Sequence, residues 1–223
     1  GQILVEGAND NVRPLSESDR SHYAAVNFDS ARYASRVGVS ALACHGADVL
    51  VRRWHLPAIS VSDIKCSNVS HSFSVVPRSA SAKIHVRFVP DQDAETLTRC
   101  ISEHLERHMT KRNSPNKLSI RTVHVGDWWL GDTDSPPFRA AAAAVERVWG
   151  KPPLFVREGG TMPLTKFLES LLEAPAIHLP LGGASDAPHL PNECIALRNL
   201  ERGRDVLQEF FKEIGKSAND KAT

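Results

Sequence analysis

SAKIHVRFVPDQDAETLTRCISEHLERHM, residues 81–109, is the stretch on which the fold class turns. Its opening alternates, with Ile84, Val86 and Phe88 on one face and His85 and Arg87 on the other, the period of a strand. Beyond Pro90 the period lengthens, and Leu97, Ile101, Leu105 and Met109 recur every four residues along one helical stripe. Working outward, PAISVSDIKCS at 57–67 and KLSIRTVHV at 117–125 repeat the two-residue alternation. Strand, strand, helix, strand predicts an antiparallel sheet with helices on one face. Upstream the signals are weaker: a short helix capped by Ser16 or Ser18, and a second from Ser30 to Val37 that stops at Gly38.

Downstream the pattern changes. GDWWLGDTDSPP at 126–137 reads as a loop from its Gly, Asp and Pro content. Phe138, Ala142, Val145 and Trp149 then mark a helix ending at Gly150, and Leu164, Phe167, Leu168, Leu171 and Leu172 mark another. The apolar run AIHLPL at 176–181 predicts a buried strand, and Leu200, Val206, Leu207, Phe210, Phe211 and Ile214 a last amphipathic helix. This is an α/β layer with part of it missing, so a boundary falls near residue 133 and the end of the chain, 215–223, reads as a disordered tail.

Composition narrows the function classes. At 223 residues, 41% hydrophobic and 24% charged, the chain has an ordinary globular make-up. Its 27 basic and 26 acidic residues nearly cancel, which removes any electrostatic case for nucleic acid or an anionic membrane as partner. No apolar run approaches the roughly 20 residues that span a bilayer. No signal peptide is recognisable, and Cys44, Cys66, Cys100 and Cys194 show neither zinc-ribbon nor disulfide spacing. Reduced thiols point to a cytoplasmic location.

Three stretches carry chemistry. Arg87 is presented from a strand, where its planar fork suits a carboxylate, although a solvated or ion-paired surface arginine explains the same pattern. REGGTMP at 157–163 sets two glycines, a hydroxyl and Pro163 before a helix. That arrangement serves an anionic group at the helix N-terminus, or a plain turn with Thr161 as the cap. GGASDAPHLPNE at 182–193 is a shaped turn around His189, a metal ligand or a loop histidine. His104 and His108 share a helix face but lack a third ligand, and Trp128 with Trp129 reads as junction packing.

In their order and spacing, RRWHLPAISV, VVPRSASAKIHVRFVPDQ, SPNKLSI, REGGTMP and GGASDAPHLPNE resemble the second half of the carnosinase-like dizinc dipeptidases, a family that also contains cytosolic nonspecific dipeptidase. The resemblance covers about residues 1–214. It implies an α/β catalytic domain interrupted by a lid, a four-stranded antiparallel sheet with two helices through which the family dimerises. Residues 1–133 then correspond to the lid, with a core at about 56–125, and 134–214 to the C-terminal part of the catalytic domain. His189 corresponds to the last zinc ligand. Arg87 and Ser74 correspond to the lid positions that hold the substrate carboxylate and neighbouring polar groups, and Gly160 and Thr161 to a substrate-contacting Gly-Ser, with Thr keeping the hydroxyl. The family's other ligands come from a His-x-Asp triplet and a Glu-Glu pair that this chain does not contain, so no catalytic residue is assigned within it.

The implied activity is two-zinc hydrolysis of dipeptides or γ-glutamyl peptides by the intact protein. Within that resemblance, VPRSASAKI with VRFVPDQ and GDWWLG looks closer to the metallopeptidase-like subunit of the fungal glutathione-degrading complex than to carnosinase itself, and that subunit works with a glutamine-amidotransferase-like partner. The partners implied are a peptide substrate and either a homodimer through the lid or that hetero-oligomer. A non-catalytic dimerisation or scaffold subunit with a vestigial metal site is the alternative.

Overall fold

In the computed structural model, residues 3–67, 76–158 and 162–219 are described. They divide into two units, one holding 3–128 with 157–158 and the other 129–156 with 162–219.

The first unit opens with three short helices, α1 (Glu17–Ala25), α2 (Ser30–Val37) and α3 (Ala47–Trp54). Ser16 starts α1 through a capping box: its hydroxyl accepts from the Asp19 amide at 3.1 Å, while Asp19 accepts from the Ser16 amide at 3.2 Å. Asp29 caps α2 at the Arg32 amide, and Gly38 ends it at φ 76°, a left-handed turn that glycine adopts without a Cβ penalty. The sequence reading missed α3, which has no side-chain cap at Gly46 and follows a run too short for periodicity to register.

Strands β1 (Ala58–Cys66) and β2 (Ala80–Arg87) pair antiparallel from Ala58 opposite Arg87 to Cys66 opposite Ala80, with an irregularity between Val61 and Asp63. Helix α4 (Ala94–Lys111) follows, started by Asp93, whose carboxylate accepts from the Thr96 amide at 2.7 Å. Leu97 is its buried anchor; Ala8, Tyr23, Ala34 and Leu50 are the other buried apolar residues of this unit.

Among the described residues the sheet has two strands. The stretch 117–125 makes no ladder, and its alternating Leu118, Ile120, Val123 and Val125 are exposed. Alternation specifies which side chains share a face but cannot supply the neighbouring strand that the backbone hydrogen bonds need.

The second unit contains α5 (Pro136–Trp149), α6 (Pro163–Leu172) and α7 (Leu197–Asn219). Proline at the first turn of α5 and α6 suits a position whose N–H has no helical partner. The cap residue of α6 is Met162, which makes no side-chain cap, so the sequence expectation of Thr161 in that role is corrected. Helix α7 runs on to Asn219, past the point where the sequence predicts a tail. Ala140, Ala141 and Ala144 of α5 and Val206 of α7 are buried, small residues that let the two helices approach closely.

Residues 176–181 form no strand, but Leu181 packs where a Cβ on Gly203 would lie 2.7 Å from its Cδ2. Glycine at that point of α7 makes room for the segment. Large apolar side chains on α6 and α7 stay exposed, among them Phe167 at 59%, Leu172 at 65% and Phe211 at 68%.

Candidate functional site

Arg87 is the last residue of β2, paired in register with Ala58. Its side chain is exposed at the strand end, where a guanidinium can meet a carboxylate without a full desolvation penalty. Ser74, Gly160 and Thr161 lie outside the described residues. Arg87 belongs to the first unit and His189 to the second.

The loop around His189 is built on Asp186. The Gly183 amide donates to the Asp186 carboxylate at 2.6 Å, and the backbone returns with Asp186 N–H to the Gly183 carbonyl at 3.2 Å and Cys194 N–H to the Asp186 carbonyl at 3.0 Å. Cβ atoms on Gly182 and Gly183 would crowd that carboxylate at 3.1 and 3.3 Å. Three non-glycine residues here take left-handed backbone: Ala187 at φ 51°, His189 at φ 64° and Asn192 at φ 64°. Such a cluster costs free energy and persists where the surroundings over-determine it, a pattern common at functional loops. The His189 amide donates to Glu193 at 3.3 Å, and its imidazole is exposed. The sequence reading named His189 but did not single out Asp186, the organiser of its loop; the Gly-Gly-x-x-Asp spacing of a side chain reaching back to a backbone amide is the signal for it.

Behind this loop, segment 176–178 is fastened to α6. Glu169 accepts from the Trp129 indole at 2.9 Å and from the Ala176 amide at 3.0 Å, and these two hydrogen bonds hold its carboxyl below the usual carboxylate range. The His178 ring lies 4.6 Å from the Trp129 ring, and its Nε2 is 2.8 Å from the Thr165 hydroxyl. Each tryptophan of the GDWWLG stretch bonds within its own unit, since Trp128 donates to the Gln92 carbonyl at 3.2 Å.

Among the described residues no group of three or more His, Cys, Asp or Glu side chains could hold a metal ion. His189 stands in no such group, and the described residues do not by themselves fit a closed zinc site. His104 and His108 have ring centroids 4.5 Å apart; burial, then the neighbouring His108, keep His104 below the ordinary histidine value.

Comparison with known proteins is consistent along the chain. Residues 10–113 match the model of the peptidase dimerisation domain. The chain is 29% identical to the Cys-Gly metallodipeptidase of Saccharomyces cerevisiae over 97% of its own length and 46% of the relative's. The solved structure of that di-peptidase superimposes with a TM-score of 0.86 at 29% identity, over 96% of this chain and 45% of the other. Human carnosine dipeptidase 1 superimposes with a TM-score of 0.83 at 28% identity, over 97% and 46%. A probable di- and tripeptidase of S. cerevisiae is 30% identical over 74% of this chain and 19% of its own length. The chain thus spans about half the length of the dipeptidases it matches from end to end. Residues 10–113 thus match a peptidase dimerisation domain, and over nearly its whole length the chain is similar to the Cys-Gly metallodipeptidase and to human carnosine dipeptidase 1.

Proposed function

We propose that this chain is the dimerising and substrate-carboxylate-binding part of a cytoplasmic zinc metallopeptidase that cleaves dipeptides such as Cys-Gly, or γ-glutamyl peptides, in glutathione catabolism. The observation that carries the reading is similarity to the Cys-Gly metallodipeptidase over 97% of the chain, through both units and not through the dimerisation domain alone. The four cysteines, all free, suit a reducing compartment.

Residues 1–133 serve as the lid, with a core at about 56–125 that reaches four strands when 117–125 and its exposed apolar residues find a neighbour. Residues 134–214 are the C-terminal part of the catalytic domain. The lid pairs with a second copy, or with a glutamine-amidotransferase-like subunit in a hetero-oligomer. Arg87 grips the free carboxylate of the substrate with its two-pronged donor set, and Ser74, Gly160 and Thr161 contact the rest of the peptide. His189 is one zinc ligand. The remaining ligands and the general base come from sequence outside this chain.

The test is the full-length gene product assayed on Cys-Gly, carnosine and glutathione. Arg87→Ala raises KM or lowers kcat/KM at least tenfold, the loss of one charge-assisted contact. Kinetics unchanged by that substitution remove Arg87 from the site. Bound zinc of about two per chain accords with a two-metal hydrolase, whereas a metal-free and inert full-length protein is a scaffold.

A further inference from the structure

Helix α4 carries the stretch EHLERH at 103–108, which sets His104 and His108 one turn apart. Side chains at that spacing stand on one helical face. Here the ring centroids are 4.5 Å apart and the ring planes are inclined at 50°. His104 is half-buried and His108 exposed, so an ion can reach the pair from solvent.

The ring spacing decides which ion fits. An imidazole bound through nitrogen at about 2.0 Å puts its centroid about 3.2 Å from the metal; two such rings then lie about 4.5 Å apart at a right angle and about 5.2 Å apart at the tetrahedral angle. The spacing in α4, 4.5 Å, is the right-angle value. Right angles belong to the tetragonal sites of divalent copper and nickel, which take imidazole nitrogen together with oxygen donors such as water. Zinc asks for a tetrahedron with three or four protein ligands, and among the described residues no third His, Cys, Asp or Glu joins this pair. The missing third ligand argues against zinc and leaves the tetragonal ions.

The surroundings suit a cation. Burial, then the neighbouring His108, holds His104 below the ordinary histidine value, so its ring is neutral and offers a lone pair at neutral pH. His108 lies in the last turn of α4, where the helix dipole favours positive charge. Arg107 is paired with Glu6 at 2.7 Å, which offsets its charge; Lys111, three residues beyond His108, is an opposing charge.

We infer that His104 and His108 form a bidentate site for a divalent copper or nickel ion, with water in the remaining coordination positions. The bound ion ties the last turn of α4 to the turn before it. The site needs nothing from His189 and stands apart from the peptidase reading.

The test is titration of the 223-residue chain with copper and with nickel, read by calorimetry and, for copper, by electron paramagnetic resonance. The copper spectrum at one equivalent is axial, with the splitting of two equivalent nitrogens. His104→Ala and His108→Ala each reduce this to the splitting of a single nitrogen and weaken binding of both metals at least tenfold, with His104→Gln in reserve should the alanine variant fail to fold. His124→Ala, at an exposed histidine elsewhere in the chain, changes neither readout. Amide hydrogen exchange over 105–111 slows on addition of nickel in the parent chain and not in the His104 and His108 variants. Binding that survives both substitutions overturns the site, and so does a single-nitrogen spectrum in the parent. One ion per two chains with four nitrogen donors overturns the bidentate site in favour of a bridge between copies.

Discussion

Asp19 shows how a residue's neighbours decide its behaviour. Burial pushes its carboxyl up, but the Ser16 hydrogen bonds and the Arg157 guanidinium outweigh burial and hold it below the usual carboxylate value. A group whose folded pKa is depressed contributes stability that is present above the unfolded value of about 3.9 and is lost as pH falls through the folded value. Melting temperature is therefore expected to fall on acidification below about pH 4, and Asp19→Asn flattens that arm of the profile. The same substitution costs about 3 kcal/mol at neutral pH by leaving the Arg157 cation without its partner, measured by urea titration; an unaltered midpoint contradicts the pair's role. Ser16 as the helix cap was readable from local letters. The ion pair was not, because partners 138 residues apart leave no trace in any window.

At the scale of elements, boundaries with a chemical marker were legible: Ser16, Gly38 and Gly150 sit where caps and stops belong, whereas Pro136 and Pro137, read as loop, open α5. The stretches 117–125 and 176–181 carry strand-like patterns without a ladder, since a strand exists only with its neighbour. For the candidate site, Arg87 and His189 were named through the resemblance of their motifs, while the Asp186 hub and the Glu169 tie depend on folded geometry. Gly203 permits a direct test of the packing of 176–181. Gly203→Ala gains roughly 1 kcal/mol of helix propensity but forces Leu181 aside, and overpacking of this kind costs about 1–3 kcal/mol. The net expectation is a loss of about 1 kcal/mol, turning into a gain of similar size in a Leu181→Ala background. Equal effects in both backgrounds mean that the contact is absent.

For the molecule as a whole, several large apolar side chains of α6 and α7 are exposed, among them Leu171, Leu172, Leu197 and Phe211. Together with the dimerisation domain, they predict that the purified 223-residue chain self-associates in light scattering; a strict monomer at micromolar concentration contradicts this. With His189 as its one proposed ligand, the chain alone is expected to bind zinc weakly and to hydrolyse no peptide above a His189→Ala control. The central claim, that this sequence belongs to a working metallodipeptidase, is tested most directly by the rate of Cys-Gly hydrolysis by the full-length gene product, before and after chelation and beside His189→Ala. The account predicts turnover that chelation abolishes, zinc restores and His189→Ala lowers at least a hundredfold; turnover indifferent to both chelator and substitution contradicts it.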